Sequence, residues 1–194
     1  MDIDFYFDFG SPAAYLAWTQ LGRIEAESGA KVRKIPMLLG GVFKATGNAT
    51  PVSVPAKGAW MTKDLARHAA RYGAPPLKMP PGFPINTLHL MRGAAALEGD
   101  ERFDDYLSAI YGAMFERGEN MADPAEIGRA LTEAGFDAKA IFAMVEDQAV
   151  KDRLKANTEE AVARGAFGAP TFFVGDEMHF GQDRIEWVIE AAKR

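Results

Sequence analysis

Ile3-Asp4-Phe5-Tyr6-Phe7-Asp8-Phe9-Gly10-Ser11-Pro12 is the stretch on which the fold turns. From Ile3 to Phe9 large apolar side chains alternate with polar or amphipathic ones, the period of a strand packed on one face, and the aromatics favour that reading. Gly10 supplies a flexible link, Ser11 is a preferred N-cap, and Pro12 stands at the first helical position, where a missing N–H costs nothing. A helix is therefore expected from Ser11 through Tyr15, Leu16, Leu21 and Ile24 to a stop at Gly29, followed by a short strand over Val32 to Met37. The N-terminal part reads as β-α-β.

At the other end, Ala169-Pro170-Thr171-Phe172-Phe173-Val174 reads as a strand entered through proline. Gly175-Asp176 is a two-residue turn into Glu177 to Phe180. Gly181-Gln182-Asp183-Arg184 then leads into an amphipathic helix carrying Ile185, Val188, Ile189 and Ala192. This end is β-β-α. Between the ends the pattern is helical from about Lys57 to Arg164. Phe103, Tyr106, Leu107, Ile110, Tyr111, Met114 and Phe115 mark one buried helix face, with Asp100 as its cap and Gly118 as its stop. Asp123-Pro124 and Asp137 begin two further helices, and a longer one runs from about Ala149 to near Gly165. Five prolines between Pro75 and Pro84 make a stiff loop that joins two helices. The simplest assembly is an α/β fold: one mixed sheet whose halves are separated by an all-α insertion.

Composition agrees with an ordinary globular domain. The 194 residues are 48% apolar and 25% charged, and a net charge of -5 gives no broad drive toward nucleic acid or an anionic membrane. No run approaches a membrane span, and the acidic start Met1-Asp2-Ile3-Asp4 is unlike a secretory signal, so a cytoplasmic protein is expected. There is no cysteine, which removes disulfides, thiolate metal sites and any protein thiol nucleophile. His68, His89 and His179 have no metal-ligand spacing, and no metal is expected.

Phe5-Tyr6-Phe7-Asp8-Phe9 with Ser11-Pro12, then Gly168-Ala169-Pro170-Thr171-Phe172-Phe173-Val174-Gly175-Asp176 and Gly181-Gln182-Asp183-Arg184, resemble the 2-hydroxychromene-2-carboxylate isomerases. These are close to kappa-class glutathione transferases, within the DsbA-like branch of the thioredoxin fold. The resemblance implies a thioredoxin-like domain from residues 1–45 and 165–194, a helical insertion from 46–164, a glutathione site and a homodimer. Its redox Cys-x-x-Cys positions read Ser11-Pro12-Ala13-Ala14, so thiol-disulfide exchange is excluded.

Taken alone, Ser11 reads either as a helix cap or as a hydrogen-bond donor to an anion at a helix end. The resemblance makes it the catalytic residue that holds the thiolate of bound glutathione. It also implies a cis Pro170 that turns the Ala169 backbone toward the cysteinyl amide. Asp183 would take the γ-glutamyl ammonium, and Gln182 with the local helix end would receive its carboxylate; Arg184 belongs to the same motif. Lys57 would pair with the glycyl carboxylate, with Asn48 nearby. Trp60 stands where tyrosine is expected. Phe83 and Asn86 would flank an aromatic 2-oxo or 2-hydroxy acid substrate. Alone, Asp183 reads as a helix cap and Lys57 and Arg184 as solvated charges. Two activities share this site, a glutathione-dependent cis-trans isomerase and a kappa-type transferase; a non-catalytic DsbA-like binding module is the third reading.

Overall fold

The computed structural model describes residues 2–194. Strand β1 (Ile3–Phe7) leads into α1 (Pro12–Trp18) and α2 (Leu21–Ser28), then β2 (Val32–Pro36) and α3 (Leu39–Thr46). The insertion follows with α4 (Pro55–Tyr72), α5 (Leu88–Leu97), α6 (Phe103–Tyr111), α7 (Pro124–Glu133), α8 (Ala138–Met144) and α9 (Gln148–Ala163). The chain closes with β3 (Thr171–Val174), β4 (Glu177–Phe180) and α10 (Ile185–Ala192). The sheet order is β2-β1-β3-β4. Parallel β1 and β2 pair Ile3 with Val32, antiparallel β1 and β3 pair Tyr6 with Thr171, and β3 and β4 form the hairpin turned by Gly175-Asp176. This is the mixed sheet expected from the two ends of the sequence, within the thioredoxin-like fold that the resemblance implies.

The expectation that β1 packs on one face is corrected. Ile3, Phe5 and Phe7 lie in the main core with α1, α10 and the insertion helices, whereas Tyr6 faces a second buried cluster with Ile35, Phe173 and Ala161. As a central strand between two helical layers, β1 needs apolar or aromatic groups on both sides, and Tyr6 is an aromatic group before it is a polar one. Only Asp4 stays partly open, where Arg33 and Arg164 reach it at 2.8 and 2.6 Å.

The single helix expected from Ser11 to Gly29 is broken after Trp18. No glycine or proline marks the break in sequence. Thr19 Oγ1 donates to the Leu16 carbonyl at 2.7 Å, and the buried Gln20 side chain donates to Thr19 Oγ1 and to the Tyr72 carbonyl. The chain is thus diverted by a side-chain contact to α4. Two starts also shift. Asp100 accepts from the Arg102 N–H, and α6 begins only at Phe103; Asn86 accepts from the Leu88 N–H, one position ahead of the cap at Thr87. Beyond Tyr111 the helix widens into a π-helical turn, Gly112–Arg117, which ends at Gly118 as expected. Aromatic rings join the insertion to the sheet: Phe9 meets Tyr111 edge-on at 4.7 Å, and Tyr111 in turn lies 5.6 Å from Tyr15.

Candidate functional site

Ser11 stands where β1 gives way to α1. Its N–H donates to the Asp8 carbonyl at 3.0 Å, its backbone is extended, and its Oγ accepts from the Ala14 N–H at 3.1 Å. The helix-cap reading therefore holds. The same Oγ donates to the Ala169 carbonyl at 2.9 Å, across the sheet's upper edge, and the Ala169–Pro170 bond is cis. A hydroxyl has one proton, and here Ala169 takes it. The Ala169 carbonyl retains a second lone pair. Of the first N–H groups of α1, Pro12 has none and Ala14's goes to Ser11; no carbonyl among the described residues takes Ala13's.

The Pro170 carbonyl accepts from the Gly181 N–H at 3.0 Å, which brings the Gly181-Gln182-Asp183-Arg184 motif beside the proline loop. Gly181 has φ +104, and a Cβ there would lie 2.6 Å from Asp183 Oδ1, so this turn requires glycine. Tyr72, at the end of α4, donates its hydroxyl to the Gln182 carbonyl at 2.6 Å. Asp183 and Arg184 are exposed and paired with each other. Asp183 does not cap the last helix, which starts through a 3-10 turn with no side-chain cap.

The remaining expected residues lie around this centre. Asn48, just past α3, donates through Nδ2 to the Phe167 carbonyl at 2.8 Å, two residues before Ala169. Lys57 and Trp60 project from the exposed first half of α4, Trp60 with 61% of its surface open, and neither has a hydrogen bond or ion pair among the described residues. Phe83 packs edge-on to Phe115 at 6.3 Å in the proline loop, and Asn86 is exposed. Ser11, Ala169, Pro170 and Gly181 are thus joined through direct bonds, with Gln182 next along the chain, while the substrate-side pair is connected more remotely.

That connection runs through Asp8, which sequence reading treated only as the polar member of a strand. Its side chain is buried, with Oδ1 accepting from the Gly10 N–H and from Thr87 Oγ1, and Oδ2 from the Leu39 N–H, all at 2.7 Å. One carboxylate therefore ties the turn before Ser11 to the starts of α3 and α5. Burial pushes the Asp8 carboxyl up; the three donors oppose this without cancelling it. An acid between two phenylalanines and two residues before a glycine was the available signal. Tyr15 was also missed as a polar partner: its hydroxyl donates to Glu116 of the π-helical turn at 3.0 Å, and burial followed by the Glu116 charge raises its pKa. A π-helical turn has no readable sequence period.

The fold and this site define a class. The family model for a DsbA-like thioredoxin domain matches residues 2–192, and the chain belongs to that family. A probable DsbA oxidoreductase from Streptomyces coelicolor, 20% identical with a TM-score of 0.74, shares the fold. More narrowly, the chain is 31% identical over 188 residues to 2-hydroxychromene-2-carboxylate isomerase of Sphingobium xenophagum, covering 96% of this chain and 95% of that one. It is 32% identical to the Pseudomonas putida protein of the same name, covering 99% and 94%. A solved 2-hydroxychromene-2-carboxylate isomerase, 28% identical, superposes with a TM-score of 0.88 over 98% of this chain and 94% of that one. Human glutathione S-transferase kappa 1 is 30% identical, covering 95% and 87%. Within the DsbA-like class, the chain belongs to the 2-hydroxychromene-2-carboxylate isomerase family, an enzyme family next to the kappa transferases.

Proposed function

We propose that this enzyme is a glutathione-dependent cis-trans isomerase that converts 2-hydroxychromene-2-carboxylate, or a close analogue, to trans-o-hydroxybenzylidenepyruvate in aromatic-compound catabolism. The observation that carries the reading is the Ser11 hydroxyl, hydrogen-bonded to the Ala169–Pro170 loop in a chain without cysteine. The donors and acceptors around it suit a tripeptide anion. The Ala169 carbonyl has a free lone pair for an amide, Gln182 is half-buried beside the loop, and the uncommitted Lys57 ammonium suits a carboxylate. Bound glutathione would supply a thiolate that adds to a conjugated double bond of the ring-opened substrate, making it a single bond that can rotate, and leaves as the trans double bond re-forms.

The chain's own groups then have defined work. Ser11 Oγ turns its proton from the Ala169 carbonyl to the sulfur anion, and the free Ala13 N–H favours the same charge. Asp183 exchanges Arg184 for an ammonium group, Asn48 holds the loop at Phe167, Trp60 stands with the glutathione-binding residues, and Phe83 and Asn86 border the aromatic ligand. A cytoplasmic homodimer belongs to the same reading.

A kappa-type transferase with the same site is the second reading, supported by the 30% identity to the human enzyme. Single-turnover mass balance with glutathione and 2-hydroxychromene-2-carboxylate separates them. Trans product with free thiol restored supports the isomerase; stoichiometric loss of thiol into a conjugate makes it a transferase. Absence of any glutathione-dependent rise in melting temperature leaves only the binding-module reading.

A further inference from the structure

Away from Ser11, α3, α5 and α9 enclose a groove of about 620 Å³, a volume within the range of small-molecule sites. Its apolar walls include Ala45, Leu88, Leu154 and Val162; Ser11, Asn48, Lys57, Ala169 and Pro170 do not line it. At its base α3 presses closely on α9, since a Cβ at Gly41 would come 3.1 Å from Thr158 Cγ2. The Thr158 hydroxyl is spent, donating to the Leu154 carbonyl at 2.7 Å and accepting from the Leu38 N–H at 2.9 Å. The depth of the groove thus asks for an apolar body without hydrogen-bonding groups.

The rim asks for something else. Lys44, Arg92, Lys151 and Lys155 line the groove against a single carboxylate, Glu159, although the chain as a whole carries a net charge of -5. Their pairing is incomplete. Lys151 meets Glu146 at 2.9 Å, Arg92 reaches the same carboxylate only at 3.9 Å, Lys155 lies 3.8 Å from Glu159, and Lys44 has no ion pair among the described residues. Cations at the edge of a low-dielectric groove concentrate a local positive field that distant surface acids do not cancel.

We infer that this groove is a second ligand site, separate from the one around Ser11, for a small amphipathic anion: an apolar body bearing a carboxylate. The body lies against Leu88, Leu154 and Val162, and the carboxylate meets the cationic rim near Lys44.

Isotope-labelled protein titrated with naphthalene-2-carboxylate tests this by amide chemical shifts. Saturable shifts are expected at Gly41, Ala45 and Thr158, with affinity falling as salt rises. The neutral naphthalene-2-methanol should bind several-fold more weakly. Lys44→Glu should weaken the acid more than the alcohol, and Ala45→Trp, at an exposed position, should fill the groove and abolish both. Each variant's melting curve checks that it is folded. Shifts confined to Ser11 to Ala14 and Ala169, equal binding of acid and alcohol, retained binding in both folded variants, or no saturable shift would each overturn the assignment. So would a change in oligomeric state in Ala45→Trp, which would make a second copy of the chain the occupant.

Discussion

Ser11 makes two hydrogen bonds through one hydroxyl, and its acceptor and donor halves do different work. The acceptor half caps α1, so Ser11→Ala should lose about 0.5–2 kcal/mol of stability. The donor half faces the site, so the same variant should raise the pKa of enzyme-bound glutathione; an unchanged thiolate titration would remove Ser11 from the chemistry. Asp8 has no such division. Asp8→Ala leaves three donors without their acceptor, the buried Thr87 hydroxyl and the partly buried Gly10 and Leu39 N–H groups, and should cost about 3–5 kcal/mol in urea unfolding, whereas Thr87→Val, which removes one of those donors, should cost about 1 kcal/mol. Equal losses would show that the carboxylate is not the hub. Tyr111 is the contrary case. Its buried hydroxyl has no hydrogen-bond partner among the described residues, and burial, then the Asp8 charge, raises its pKa. Tyr111→Phe should keep the ring contacts and leave stability unchanged or higher by about 1 kcal/mol.

Among the elements, α5 and α6 depend on one close approach. Tyr106 donates its hydroxyl to the Leu90 carbonyl at 2.9 Å by passing directly over Gly93, where a Cβ would lie 2.1 Å from Tyr106 Oη and 2.7 Å from Cζ. The ring is buried and has little room to retreat. Gly93→Ala should therefore cost about 3 kcal/mol, and pairing it with Tyr106→Phe should recover little, because the Cζ overlap remains. Recovery of full stability in the double variant would show that only the hydroxyl was in conflict. The periodicity of Phe103 to Phe115 revealed that α6 has a buried face, but the overlap depends on helix spacing, which periodicity does not contain. Likewise, the break after Trp18 lies in residues of ordinary helical pattern and is set by Gln20 reaching Tyr72, far along the chain.

Across the whole molecule, Asp4 binds strands and insertion together. It accepts from Arg33 on β2 and from Arg164 after α9, whose guanidinium also donates to the Gly175 carbonyl and lies 3.9 Å from the Phe173 ring centroid. Burial raises the Asp4 pKa, but the two arginines outweigh it and the net shift is downward from 3.8. A lowered folded value contributes stability that is present above the unfolded pKa and lost as pH falls through the folded one. Asp4→Asn should therefore melt below the parent at neutral pH, and the gap should close in acid below 3.8. A gap that persists there would assign the effect to packing. Asp8 has the opposite sign: its raised pKa means that its ionisation weakens the fold as pH rises through that value.

The sequence by itself determined the α/β class, the β-α-β and β-β-α ends, the Ser11 cap and the absence of a thiol on the protein itself. Each follows from local pattern: a period of two or 3.6, a capping residue before proline, or a residue type that is missing. It also carried the family resemblance, which the comparisons bear out. Only tertiary structure decided that β1 is buried on both faces, that Ala169 takes the Ser11 proton, that Asp8 ties three elements, and that a basic-rimmed groove opens between α3, α5 and α9. The reason is physical. Hydrogen bonds such as Ser11 to Ala169 join groups 158 positions apart, and their geometry exists only after the sheet and its two helical layers have packed.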